Sequence, residues 1–379
     1  MILTGMIQSR LSLLAALLFG LALTPAITVA QSAGDNSTAE SINIGLLITE
    51  PSALAAKHGA ELAVREANSR GGYLGKPFRL VVRSTEGPWG TGSKESVSLV
   101  FDDDVVAIIG SLDGRNTHLL EQVAAKTRIA VISAWATEMT LSQAFVPWFF
   151  RCVPDDVQQA TVLLREICEK RAITRIAVIG TEDYDSKNAV RSFSETATLM
   201  KLPDPGKYLV NPRSVYLQKT LQEIAGYHPG ALVLLGNTST AADIIRSIKM
   251  VNMNLPVFGN FSVLSDQQPS SPDWDFFEGI NLVSSGHWFT DPGTTFEKAF
   301  RETYGYHPGA AAAYAYDGIS LVINAIRSGG TARDRIIESL KNMQGMKGIT
   351  GEILFDAHGN RTDLPVMMTI RNAQPQIIR

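Results

Sequence analysis

The chain has 379 residues, 45% of them hydrophobic and 19% charged, with a formal net charge of −3. That length supports two domains of ordinary size, each with its own core. The near-neutral balance gives no electrostatic footprint for nucleic acid or an anionic membrane, so neither is expected as a partner.

Residues 1–30 are a different material from the rest. Met1 to Gln8 carry no charge, Arg10 supplies the single positive one, and Leu11 to Leu23 form an apolar run rich in Leu and Ala. Thr28-Val29-Ala30 precede Gln31. This is the pattern of a secretory signal peptide, with cleavage expected near Ala30. A membrane anchor needs roughly 20 apolar residues, and this run stops earlier, at Thr24-Pro25. The mature protein is therefore expected to be soluble, in the periplasm or an otherwise exported compartment. Two cysteines follow, Cys152 at the end of a strand and Cys168 deep in the next helix. Helical rise places them beyond bridging distance, so two buried free thiols are expected.

In chain order, the spacing predicts a strand Ile42 to Ile48, a helix Ala53 to Ser69 stopped by Gly71-Gly72, and a strand Phe78 to Val82. A turn-rich loop (Thr85 to Gly90) leads to a helix near Lys94 to Phe101. The central stretch runs from Val105 to Thr137: a buried strand, a polar loop, a helix (Thr117 to Thr127), a second buried strand and a second polar loop. Short, continuous apolar strands alternating with helices indicate a parallel sheet covered on both faces. Ligands in such sheets bind beyond the carboxyl ends of the strands, which here means Leu112 to Asn116 and Trp135 to Thr137.

The pattern changes after Thr137. Glu138 to Trp148 reads as a crossing and Phe149 to Val153 as a strand, and Pro154-Asp155-Asp156 open a helix. A second β/α run follows: strand Arg175 to Ile179, helix to Met200, helix Leu217 to Tyr227, strand Ala231 to Leu235, helix Thr240 to Val251, and a strand from Pro256. Asn281 to Ser285 is a further strand. Helices near Thr295 to Tyr304, Gly309 to Arg327 and Thr331 to Met343 are expected to return to the first lobe. Two tail strands, Glu352 to Phe355 and Val366 to Arg371, are expected to join the second.

Taken together, several fragments resemble the branched-chain amino acid and amide group of type I substrate-binding proteins, the Leu/Ile/Val-binding-protein-like receptors of ABC uptake systems. They are His58 to Ala63 with Gly71-Gly72, Ile108-Ile109-Gly110-Ser111, Ile132 to Thr137 with Leu141, Phe150-Arg151 with Asp155-Asp156 and Gln158-Gln159, and Ala315-Tyr316-Asp317-Gly318. Their order and spacing cover about Ile42 to Ile370. The resemblance implies an α/β fold of two doubly wound lobes joined by three hinge crossings, near Val146, Leu282 and Gly345. Lobe 1 would comprise 41–148 plus 283–345, and lobe 2 would comprise 149–282 plus 346–379. It also implies a monomer that captures a small amino acid, amide or carboxylate and partners the membrane permease subunits of an ABC transporter.

Backbone amides at a loop-to-helix junction suit a ligand carboxylate, which points to Asp113, Gly114 and Arg115. Thr137 falls on the family's ligand-binding threonine and could equally cap a helix. Trp135 stands where the family carries a small residue and offers a pocket wall, with Ala136 beside it. Ser52 and Glu86 lie in the loops after the first two strands; Tyr184, Thr238 and Phe261 are the expected contacts from the second lobe. Phe261 replaces the acid that family members use to pair an ammonium. Either Asp113 or Glu86 then takes that role, or the ligand is an amide, a carboxylate or an aromatic acid. No catalytic residue, cofactor or metal is expected. There is no G-x-G-x-x-G after the first strand, no P-loop and no G-x-S-x-G, and the six histidines lack metal spacing. A ligand-sensing receptor subunit is the alternative, and a doubly wound enzyme a weaker one.

Overall fold

The computed structural model describes residues 40–51, 53–143, 146–211, 216–265, 274–284, 286, 288–289 and 294–378. The expected signal peptide and Ser52 lie outside them.

The first sheet contains β1 (Ile42–Ile48), β2 (Phe78–Ser84), β3 (Ala107–Ser111), β4 (Ala130–Ser133) and β5 (Phe149–Arg151), in the order β2-β1-β3-β4-β5. All its pairs are parallel. They are connected through α1 (Leu54–Ser69), α2 (Thr91–Phe101), α3 (Gly114–Thr127) and the single turn α4 (Thr140–Gln143). Side-chain alternation explains the continuous apolar runs. Ile44, Leu46, Ile109 and Ile132 belong to the core on one face, and Leu47, Ile108 and Val131 to the core on the other.

The second lobe repeats the plan. Helix α5 (Asp156–Leu164) continues into a wider π turn, Arg165–Lys170. Then come β6 (Ile176–Thr181), α6 (Tyr184–Leu199), β7 (Gly206–Val210), α7 (Leu217–Tyr227), β8 (Ala231–Leu235), α8 (Thr238–Met250), β9 (Val257–Gly259) and β10 (Asn281–Val283). The chain returns through α9 (Thr294–Tyr304), α10 (Ala310–Gly329) and α11 (Arg333–Lys341), then β11 (Met346–Gly348), β12 (Gly351–Ile353), β13 (Met367–Arg371) and β14 (Gln374–Ile377). The second sheet has the order β14-β13-β10-β9-β8-β6-β7, with β13 and β14 antiparallel additions at one edge. The α10 helix packs on the first lobe's core through Tyr314, Ile319 and Val322, while its first turn, Ala311 to Ala313, joins the cluster that holds Leu232 and Leu234.

The structure corrects several expectations. The strand Phe149–Arg151 pairs with β4, so the first sheet runs past residue 148, and the first crossing falls at 152–155 rather than near Val146. Strand β7 is missing from the sequence expectations: it is an edge strand with a short apolar end, Tyr208-Leu209-Val210, of which only Val210 is buried. The tail strand at Gly351–Ile353 pairs only with β11 in a small hairpin, because Arg361 and Asp317 hold that segment at the hinge. Cys152 and Cys168 are both free, but only Cys152 is fully buried; the π turn leaves Cys168 half-buried.

The crossings are fastened by two buried charged groups. Asp317 on α10 accepts from Ile349 N (3.1 Å) and Thr350 N (2.8 Å). Arg361 donates to Cys152 O (3.0 Å), Thr350 O (2.8 Å) and Asp363. Gly286 packs so tightly there that a Cβ would lie 2.1 Å from Thr350 O. Its φ of +100° also favours glycine.

Candidate ligand-binding site

The loops at the carboxyl ends of both sheets are built by one local device. A short polar residue ends the strand, and its side chain accepts from the first free backbone N–H groups of the next helix. Asp113 accepts from Asn116 N at α3, Asp183 from Ser186 N at α6, and Asn237 from Thr240 N at α8. At α5, Asp155 and Gln158 form a reciprocal capping box. Each cap fixes where its helix begins and thereby where the following side chains stand.

Two hydrogen bonds join the first lobe's loops to the start of α6. Gly114 N, in the first turn of α3, donates to Asp185 Oδ1 of α6 at 2.9 Å. Tyr184 Oη donates to Glu138 Oε1 at 2.8 Å. The approach at Gly114 is close: a Cβ there would lie 2.6 Å from Glu138 Oε2 and 3.0 Å from Asp185 Oδ1, so these side chains would have to shift. Arg115 is exposed and places its guanidinium 5.0 Å from the Tyr184 ring centre. Nearer the hinge, Phe261 meets Trp135 edge-on at 5.3 Å and Tyr314 at 5.2 Å.

Between these contacts lies a cavity of about 100 Å³, lined by Trp135 and Thr137 from the first lobe and by Asp183, Asp185, Ser186, Ala189, Gly236, Asn237, Asn260 and Ser262 from the second. Its surroundings are acidic. Burial pushes the Asp185 carboxyl up to about 7, helped by Asp113, Asp156 and Asp183 and opposed by the Gly114 N–H. Burial likewise raises Asp156 to about 6, against a hydrogen bond from Thr137. Behind the first wall, hydrogen bonds to Glu121 and Glu138 raise His118 to about 9 despite burial. Burial disfavours ionised Glu138, but bonds from His118, Thr140 and Tyr184 hold it below the usual carboxylate range. Arg151 is fully buried and donates to Glu138 O at 2.5 Å.

Of the residues expected from sequence, Trp135 and Thr137 line the cavity. Thr137 caps no α-helix; its carbonyl accepts from Asp156 N at 3.0 Å. Gly114 and Tyr184 form the lobe-to-lobe contacts, with Arg115 on the Tyr184 ring. Asp113 serves as the α3 cap. Ala136 is core, and Thr238 is buried with its hydroxyl 3.0 Å from Ser265 Oγ. Phe261 is 2% exposed and belongs to the first lobe's core rather than to the cavity wall. Glu86 is exposed and does not line the cavity. The second lobe supplies two acids to the cavity wall, Asp183 and Asp185, neither of which the sequence reading singles out. The Asp183-Tyr184-Asp185 run after a strand was the signal available. Asn237, Asn260 and Ser262 were likewise missed, each being one polar residue in a strand-end loop. Among the described residues there is no cluster suited to a metal ion and no helix long and apolar enough to cross a membrane.

Residues 41–373 match the family model for periplasmic binding proteins. The Leu/Ile/Val-binding protein homolog 1 of Brucella abortus is 24% identical over 341 residues, covering 84% of this chain and 86% of that protein. The branched-chain amino acid transporter substrate binding protein LivJ from Streptococcus pneumoniae, solved with isoleucine, superposes with a TM-score of 0.77 at 22% identity, covering 89% of this chain and 99% of that one. A solute binding protein of an ABC transporter from R. palustris, solved with benzoate, gives a TM-score of 0.77 at 17% identity, with 89% and 95% coverage.

Proposed function

The chain belongs to the periplasmic binding protein family, and from that premise we propose that it captures a small polar solute for an ABC importer and hands it to membrane permease subunits. One observation carries this reading. The cavity lies at the carboxyl ends of both sheets and takes Trp135 and Thr137 from one lobe and Asp183, Asp185 and Asn260 from the other. A ligand that touches both walls favours the closed arrangement by its differential contacts, which is how a hinged receptor reports occupancy. The cap and lobe-contact roles of Asp113, Asp155 and Glu138 account for these carboxylates without a catalytic step. Export by a signal peptide in residues 1–30 would deliver a monomeric receptor to the periplasm.

Native mass spectrometry of the purified protein, followed by thermal denaturation with candidate solutes, tests the reading. A one-to-one solute at 100-fold excess over its dissociation constant should stabilise the protein by about 2.7 kcal/mol. Turnover of a solute without such saturable stabilisation would overturn it.

A further inference from the structure

The seat that a ligand carboxylate would seek is already served from within the chain. Gly114 N stands at the start of α3, where unsatisfied donors and the helix dipole favour an anion. Its partner is Asp185 Oδ1 of the opposite lobe, at 2.9 Å. Asp183 caps α6, whereas Asp185 directs its carboxylate across the cleft. A carboxylate ligand would have to displace Asp185 and then sit among Asp113, Asp156 and Asp183, all close enough to raise the Asp185 carboxyl. Neither nearby cation lines the cavity: Arg115 is exposed against Tyr184, and His118 is engaged by Glu121 and Glu138 behind the wall.

A second, independent observation points to a donor-rich ligand. Asn260 lines the cavity, is 8% exposed, and its carboxamide oxygen has no hydrogen-bond partner among the described residues. A buried acceptor left unserved is costly, and a ligand N–H would relieve it. Trp135 adds an aromatic wall, the preferred ring for a desolvated cation.

We propose that the solute is an organic amine cation that carries no carboxylate, with its ammonium group held by Asp183, Asp185 and the Asn260 carboxamide oxygen beside Trp135. This rests on the solute-capture reading and names the ligand class of the same site. Asp185 then has two tasks: it closes the lobes through Gly114 N, and it supplies the charge that selects the ligand.

The test is isothermal titration of the purified protein with two probe sets. Ethanolamine, choline, putrescine and agmatine are amines without a carboxylate; leucine, glutamate, benzoate and acetamide form the second set. At least one amine should bind, no member of the second set should displace it, and Asp185→Asn should weaken it at least about ten-fold. That substitution keeps an oxygen for Gly114 N and removes only the charge. Amine affinity in the wild type should rise about ten-fold from pH 6 to pH 8 as Asp185 ionises, and in Asp185→Asn the rise should shrink to about two-fold or less, the part that Asp156 supplies. Leucine or benzoate binding without amine binding would overturn the cation assignment and leave solute capture standing. Unchanged amine affinity in Asp185→Asn would also overturn it. No response to either set, nor to a pooled extract of small metabolites, would overturn both readings.

Discussion

Replacing Asp317 by alanine removes the acceptor that ties α10 to the third crossing. Asp317 is 1% exposed and accepts from Ile349 N, Thr350 N and the Thr350 hydroxyl. Hydrogen bonds to a charged group contribute about 1.5–3 kcal/mol each. Three bonds sharing one carboxylate are not additive. Arg361, which donates to the Thr350 hydroxyl at 2.9 Å, would also lose its nearby counter-charge. Breaking a buried charge network of this kind costs about 3–5 kcal/mol, a large share of a total stability of about 5–15 kcal/mol. Asp317→Ala should therefore lose about 3–5 kcal/mol in equilibrium urea unfolding followed by circular dichroism. Asp317→Asn keeps one oxygen but turns an NH₂ group towards a backbone donor, so it should lose an intermediate amount. If Asp317→Ala stays within about 1 kcal/mol of wild type, the carboxylate does not hold the hinge and the network argument fails.

Two further outcomes are expected. His118 titrates near 9 in the folded protein against 6.5 in the unfolded chain, so its contribution is fully present below pH 6.5 and lost as pH rises through about 9. With 32% of its side chain open to solvent, the loss should be about 1–2 kcal/mol; urea midpoints at pH 6.5 and 9.5 would measure it, and His118→Asn should flatten the difference. Burial pushes the Cys152 thiol up to about 12 and sets its sulfur 3.3 Å from Ser133 O. Iodoacetamide on the native protein should therefore label Cys168 first and Cys152 only after denaturation, and equal labelling would refute the burial argument.

Much of the architecture was legible because the signals are local. Two-faced apolar strands such as Ile44 to Ile48 and Ile108-Ile109 announce a covered parallel sheet, and Asp155 with Gln158 announces a helix start. The placement of Gly114, Trp135 and Thr137 in strand-end loops was legible for the same reason, since such loops face the cleft in this topology. What escaped were relations across the fold. Asp183-Tyr184-Asp185 reads in sequence as a helix opening, and only the apposition of α6 with α3 turns Asp185 into a partner for Gly114. Phe261 looks like a pocket residue, yet the short turn it opens carries the ring between Trp135 and Tyr314. The edge strand Gly206–Val210 has an apolar run of only three residues because most of it faces solvent.

The position of Phe261 constrains how such a receptor can diversify. Trp135 is a wall of the cavity and also one side of the socket that holds the Phe261 ring. A substitution at Trp135 that reshapes the cavity also changes what the second lobe rests on, so selectivity and the closing equilibrium shift together. Asn237 and Ser262 line the same cavity without making that aromatic contact. Because Asn237 also caps α8, descendants acquiring new solutes should vary first at Ser262, with Trp135 and Phe261 changing as a pair.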